Sequence, residues 1–165
     1  MTVLVTERLV LRRPRLDDLD AMFAIMSNAG GMRYWSTLPH SNIDVTRTWL
    51  DQMVARTKAG GEDFIIEHDG VAIGTVGAGR LPSFGFIIHP DFWRRGFASE
   101  ASRAFLDYVF ARSDVSLLRA EVDPRNIASL TVLGRLGFVE TGRVERDFQL
   151  GDEWCDTVYL ELTRP

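Results

Sequence analysis

An apolar run, Phe86 to Ile88, passes through His89-Pro90 into a short basic loop, Trp93-Arg94-Arg95-Gly96, and a strongly helical segment begins at once. A strand that feeds so directly into a helix belongs to a mixed α/β domain, and the junction has a chemistry of its own. The first turn of a helix leaves backbone N–H groups unpaired and carries partial positive charge, which makes it an anion site. Gly96 lets the backbone approach a phosphate with no Cβ in the way, and Arg94 and Arg95 add charge beside it. The turn reads as a phosphate seat. It is not a P-loop, because no G-x-x-x-x-G-K-[ST] occurs. Gly74, Gly77 and Gly79 are in the wrong order for a dinucleotide fingerprint and lie inside a strand pattern. They read as a bulged or closely packed strand.

The rest of the chain supplies alternating elements around that junction. Val3 to Arg12 reads as one strand, with Leu9 and Leu11 alternating with Arg8, Val10 and Arg12. A helix opens at Leu16-Asp17-Asp18, with Leu19, Met22, Phe23 and Met26 as its apolar stripe, and stops at Asn28-Ala29-Gly30-Gly31. Met32 to Ser41 is a loop holding Tyr34, Trp35 and His40. A second helix, Ile43 to Lys58, places Val45, Trp49, Leu50, Met53 and Val54 at helical spacing. Strands follow over Asp63 to Glu67, Val71 to Ala78 and Phe84 to Ile88, the first two joined by a His68-Asp69-Gly70 turn. Ala98 to Arg112 is a helix, Leu117 to Val122 a strand, Asn126 to Leu136 a helix, and Phe138 to Phe148 and Glu153 to Leu162 the last strands. His68 and His89 read as turn residues.

With 165 residues and no repeat or linker, one domain spanning residues 1–165 is expected. A formal net charge of -4 gives no global field toward nucleic acid or anionic lipid. Cys155 is the only cysteine, which excludes an intrachain disulfide and argues against a cysteine-based metal site, so no metal is expected. No apolar run approaches the roughly 20 residues needed to cross a bilayer. The N-terminal residues reach Glu7 and Arg8 without a signal-peptide pattern, so a cytoplasmic location is expected.

Four segments, taken together, carry a family resemblance across nearly the whole chain. They are Thr6 to Arg12 (TERLVLR), Met32 to Trp35 (MRYW), His89 to Ala101 (HPDFWRRGFASEA), and Glu121 to Ser129 (EVDPRNIAS) followed by Leu136-Gly137-Phe138. The chain resembles the GNAT superfamily of N-acetyltransferases, and within it the ribosomal-protein N-terminal (serine/alanine) acetyltransferases. The resemblance implies an α/β (α+β) GNAT-like domain. Its central sheet would be mixed, mostly antiparallel and splayed at a bulge, with about four helices around it. It also implies acetyl-CoA as cosubstrate, seated on Phe86, Ile87, Ile88, Arg94, Arg95, Gly96, Phe97, Ala98, Ser99 and Asn126. In the family the loop reads [Q/R]-x-x-G-x-[G/A]; this chain has Trp93 in the first place, as the subgroup does. The strand Phe86 to Ile88 would offer free backbone groups to pantetheine, one N–H polarising the thioester carbonyl.

Acetyl transfer needs a neutral amine, hence a general base. Glu121 is the candidate base by its spacing from Asn126, as in related N-terminal alanine acetyltransferases; the alternative is a solvated glutamate, or one paired with Arg119. The tyrosine that protonates CoA in many members is replaced by Leu133. Ser129, three residues after Asn126, is the candidate acid, as in the subgroup; the alternative is that Asn126 and Ser129 only cap their helix. Tyr34, Trp35 and His40 are expected to line the acceptor site, as matched segments do in the subgroup, and Asp123 shapes a turn or assists the acceptor. The amine would be a protein or peptide N-terminus. A small-molecule amine such as a polyamine or aminoglycoside-like antibiotic, a non-catalytic acyl-CoA sensor, and an unrelated ferredoxin-like binding domain are the rival readings. The late strands leave room for a homodimer.

Overall fold

The computed structural model describes residues 2–165; Met1, the first residue of the N-terminal stretch considered above, lies outside them. The strand expected over Val3 to Arg12 is instead a tight hairpin of β1 (Val3–Val5) and β2 (Val10–Arg12). Thr6 makes the turn: its N–H donates to Leu9 O at 2.9 Å and its hydroxyl accepts from Leu9 N at 3.0 Å. A 3-10 turn, Leu16–Asp18, leads into α1 (Leu19–Met26), and α2 spans Ile43–Lys58. On α1 the buried stripe is Met22, Ile25 and Met26, so Ile25 takes the interior place expected for Phe23. On α2 Thr46 faces inward while Val45 is exposed.

β3 (Glu62–His68) and β4 (Val71–Ala78) are joined through Asp69 and Gly70, both at positive φ (50° and 78°). That is the dihedral pattern of a two-residue hairpin turn matched to strand twist. Gly74 and Gly77 are close-approach positions: a Cβ there would sit 2.1 Å from Ile87 O and 2.3 Å from Glu62 O. β5 (Gly85–Ile88), α3 (Phe97–Arg112), β6 (Leu117–Val122), α4 (Ile127–Leu136), β7 (Val139–Leu150) and β8 (Glu153–Thr163) complete the chain.

The strands form two antiparallel sheets, ordered β1-β2-β3-β4-β5 and β6-β8-β7. They touch where Phe84 N–H donates to Arg119 O at 2.7 Å and Arg119 N–H donates to Pro82 O at 2.8 Å, a parallel bridge of Ser83 with Arg119. Beyond that point β5 and β6 part. The splay is therefore present. The register of β5 on β4 runs unbroken from Gly85 to Ile88, and the irregularities fall between β3 and β4, where Ile73 of β4 is the extra residue opposite Ile66 and Glu67, and within β7.

Strand alternation sends side chains to two cores. Phe64, Ile66, Val76 and Ile88 face a large core shared with α3, α4 and the second sheet; Ile65 and Ile87 face a smaller one with α1 and α2. At the apex of the splay Phe84 stacks on Phe105 and Phe138, centroids 5.6 and 5.4 Å away. Among the described residues no helix is long and apolar enough to cross a membrane.

Phe105 has no exposed surface and also meets Phe64 edge-on. Phe105→Ala should therefore cost about 3–5 kcal/mol, the loss typical of a buried aromatic that leaves a cavity. The urea midpoint measures it, and a loss under ~1 kcal/mol would mean that the apex repacks.

Candidate active site

Of the four helices of eight or more residues, α1 starts at Asp18 without a side-chain cap, and the other three start in contrasting ways. α2 and α4 are capped: Asn42 Oδ1 accepts from Asp44 N and Val45 N, and Asn126 Oδ1 accepts from Ser129 N. α3 is not. Its N-cap is Gly96, at φ 79°, with no side-chain cap. The Glu100 N–H donates to Gly96 O at 3.0 Å, so the N–H groups of Phe97, Ala98 and Ser99 precede the first helical bond. Arg94 also has positive φ (58°). Left-handed residues on both sides of Arg95 curl the backbone into a concave run of N–H groups, the geometry that holds anions. A non-glycine residue held there is strained, and neighbouring contacts hold it.

Those contacts come from the β1–β2 turn. Arg8 Nη1 donates to Arg95 O at 2.8 Å, its Nε donates to Glu100 Oε2 at 2.7 Å, and its backbone N–H donates to Glu100 Oε1 at 2.9 Å. Thr6 Oγ1 donates to the same Oε1 at 2.6 Å. Burial raises the Glu100 pKa, but the bonds from Thr6 and Arg8 outweigh it and hold the carboxyl below its ordinary value. The Arg8 and Arg95 guanidiniums each lie 4.7 Å from the Phe97 ring centroid. His68, the last residue of β3 rather than a turn residue, sits between them. Its Nδ1 donates to Arg8 O at 3.1 Å and its Nε2 accepts from Arg95 Nη2 at 3.2 Å, the tautomer those partners require. Arg95 is thus a brace of the loop. Arg94 is exposed and makes no salt bridge among the described residues, which leaves it as the loop's available cation. His89 is a turn residue: its Nδ1 accepts from Asp91 N at 3.2 Å.

The floor of the site is the free edge of β5. His89 N–H donates to Ile73 O at 2.8 Å, which sets the hydrogen-bonded pairs of the β4–β5 ladder. By alternation, Phe86 and Ile88, opposite Val76 and Gly74, turn their N–H and C=O groups away from β4 and into the splay. The Ile88 carbonyl accepts from the Trp93 indole Nε1 at 2.7 Å. The Ile87 side chain packs on the α1–α2 side of the sheet.

On β6 the buried residues are Leu118, Ala120 and Val122, and Arg119 and Glu121 point to the opposite face. Arg119 bonds Glu161 at 2.7 Å. Arg119, the partner expected for Glu121 in the alternative reading, is thus engaged, and Glu121 has no salt bridge among the described residues. It lines a cavity of about 480 Å³ with Thr141, Arg143, Tyr159 and Glu161. Tyr159 donates to Asp147 at 2.5 Å, and that bond pushes its pKa up to about 12, keeping the phenol protonated. A larger groove of about 890 Å³ runs between α3 and β1 and reaches Gly96 and Ser99, but no residue of β5 or β6 lines it.

The Met32–Ser41 loop divides its residues between two roles. Tyr34 stands at the surface with the guanidiniums of Arg33 and Arg125 at 5.2 and 5.5 Å. Arg125 bonds Asp123 at 2.6 Å and Glu153 at 2.6 Å, and Arg33 also reaches Glu153. This network docks the loop against the start of α4 and the β7–β8 hairpin. The bonds from Arg125 depress the Asp123 pKa against the effect of its burial. Trp35 packs into the α1–α2 core. His40 is buried too: its Nδ1 pairs with Thr46 Oγ1 at 2.8 Å, it meets Trp49 edge-on, and burial lowers its pKa. His40 braces the loop from within. Ser129 is half-buried one turn into α4, and Leu133 is in the core. Sequence spacing had no means of showing the Arg8 clamp or the reach of Arg125 and Arg33 to Glu153, because each joins elements whose contact depends on the fold.

Comparison with known proteins bears on the family and the fold. A family model described as an acetyltransferase (GNAT) domain matches residues 8–139. The uncharacterized N-acetyltransferase p20 of Bacillus licheniformis is 28% identical over 97% of this chain and 94% of its own length. The spermidine N(1)-acetyltransferase of Escherichia coli strain K12 is 25% identical over 91% of this chain and 83% of its own. Among solved structures, the ribosomal L7/L12 alpha-N-protein acetyltransferase RimL in complex with coenzyme A superposes with a TM-score of 0.87 at 18% identity, covering 98% of each chain.

Gly96→Glu should abolish coenzyme A binding in isothermal titration while the circular dichroism spectrum is retained. The new side chain would set a like charge at the phosphate seat on a backbone at φ 79°. Unchanged affinity would remove the α3 N-terminus from the site. For Asp123, the lowered folded pKa means that its contribution is present above the unfolded carboxyl value and is lost as pH falls through the folded one. Asp123→Asn should accordingly flatten the acid limb of the stability–pH curve followed by thermal unfolding.

Proposed function

This chain belongs to the GNAT family of acetyltransferases, and from that premise we propose that it is an N-acetyltransferase that uses acetyl-CoA to acetylate a peptide or protein N-terminus. The observation that carries the donor is the uncapped start of α3 beside the outward edge of β5. A pyrophosphate fits the concave N–H run from Arg94 to Ser99, with Arg94 free to pair with it. The pantetheine arm carries amides that need partners, and Phe86 and Ile88 have backbone groups turned into the splay to supply them. When bound, acetyl-CoA supplies an acetyl group already activated as a thioester.

The chain's own residues do the rest. An outward N–H of β5 polarises the thioester carbonyl as a fixed donor. Glu121, on the face of β6 away from the core, is the base that takes a proton from the acceptor ammonium, directly or through water. Asn126 commits its side-chain oxygen to capping α4, which leaves its amide N–H₂ for the cofactor. Ser129, on the next turn, has a hydroxyl free of protein partners among the described residues and is the candidate donor to the departing thiolate. Tyr34, held at the mouth of α4 by Arg125, lines the acceptor path.

The choice of acceptor rests on charge. Of the carboxylates lining the Glu121 cavity, Glu161 is already held by Arg119, and Glu121 alone has no cation. That suits an amine bearing one charge at its reactive end, such as a chain terminus, better than a polyamine. A spermidine acetyltransferase among the relatives keeps the polyamine as the second reading. A panel of peptides with varied N-termini, run beside spermidine and an aminoglycoside with free thiol as the readout, decides between them; fastest turnover of spermidine would overturn the peptide reading.

Glu121→Gln should leave coenzyme A affinity intact and lower kcat about 100-fold near neutral pH, the scale of a lost general base. The deficit should shrink as pH approaches the acceptor amine's own pKa, because the amine then arrives unprotonated. An unaltered pH–rate profile would exclude Glu121 as the base.

A further inference from the structure

Trp93 stands where the family pattern carries a glutamine or arginine, and the structure gives its indole a specific partner. The 3-10 turn Pro90–Phe92, closed by Trp93 N–H donating to Pro90 O at 3.1 Å, folds the chain back on the end of β5. There Trp93 Nε1 donates to Ile88 O at 2.7 Å. That carbonyl is turned away from β4, on the edge that borders the splay. It is therefore the acceptor an incoming ligand amide would use if it paired along β5 as an added strand. An indole has one donor and no acceptor, and Trp93 is 48% exposed, so the ring is not locked in the core.

We propose that Trp93 is a placeholder for the donor: its indole N–H holds the Ile88 carbonyl and yields it to an amide of the pantetheine arm. The assignment rests on the reading of the splay as the acetyl-CoA seat. Its physical basis is the cost of leaving a strand-edge carbonyl without a partner. With Trp93 in place, the Ile88 carbonyl keeps its lateral direction, and the loop that leads to the phosphate seat stays anchored to the strand that orients the thioester. Trp93 is on this account a positioning residue that couples the two halves of the cofactor site. No bond other than hydrogen bonds changes in the exchange.

The indole N–H signals of protein labelled with ¹⁵N-tryptophan test it. Trp93 would be assigned by W93F, and the protein titrated with coenzyme A and separately with adenosine 3′,5′-bisphosphate, which has the nucleotide but no pantetheine. Coenzyme A should move the Trp93 indole proton and speed its exchange with solvent, while the bisphosphate should leave it near its starting position. W93F, with folding confirmed by circular dichroism, should bind coenzyme A roughly fivefold tighter, since a competing hydrogen bond of ordinary strength is gone, and should bind the bisphosphate unchanged. Coenzyme A bound with the Trp93 signal unmoved, both ligands moving it equally, or W93F weakening both alike would overturn the placeholder. No binding of coenzyme A by the wild-type protein would overturn the reading of the site and this proposal with it.

Discussion

Two neighbouring strands that begin as partners and then separate set the form of the whole molecule. Backbone bonds join Pro82 and Phe84 to Arg119, and beyond them β5 and β6 each keep only one neighbour. An unpaired strand edge inside a domain is costly, because backbone polar groups away from water need partners. The fold manages this by wedging Phe84, Phe105 and Phe138 at the apex, which keeps the sheets apart, by leaving the freed groups of Phe86 and the Ile88 N–H open to a ligand, and by holding the Ile88 carbonyl with the Trp93 indole. The cleft is thus a consequence of packing at its closed end. Side chains at the open end need only decorate it.

The anion loop meets the same edge at its far end. Its left-handed residues, Arg94 and Gly96, would relax if nothing held them, and the restraint comes from the opposite end of the sequence. Arg8 reaches the Arg95 carbonyl and the Glu100 carboxylate, 87 and 92 residues away. Because Arg8 sits in the tight β1–β2 turn, the hairpin transmits its position to the loop. The carboxylate of Glu100, in the first turn of α3, would oppose a bound phosphate if it faced forward. Drawn back to Arg8 and Thr6, it instead fixes the helix start from behind.

Much of this was legible beforehand. The strand–loop–helix junction, the helix Ile43–Lys58, the strand Leu117–Val122 and the outward facing of Glu121 all follow from periodicity and turn residues, signals that act over a few residues. The misreadings have a common origin. The β1–β2 hairpin was hidden inside a run of β-forming residues, because the turn is made by a Thr6 hydroxyl with no glycine to announce it. His40 was expected to line the acceptor site, yet it is buried against Thr46 and Trp49, since burial of a loop depends on what lies beneath it.

Local chemistry in the sequence determined that the start of one helix is suited to an anion. That follows from Gly96, the absence of a capping side chain, and the unpaired N–H groups every helix must have. It also determined which strand leads there and which glutamate faces away from the core. Tertiary structure decided how the site is held: the parting of β5 from β6, the clasp of Arg8 on the loop, and the docking of Tyr34 on Arg125. The physical reason is range. Capping, turn geometry and alternation are settled between near neighbours along the chain, whereas a hydrogen bond across 90 residues exists only once packing has brought its two ends within 3 Å.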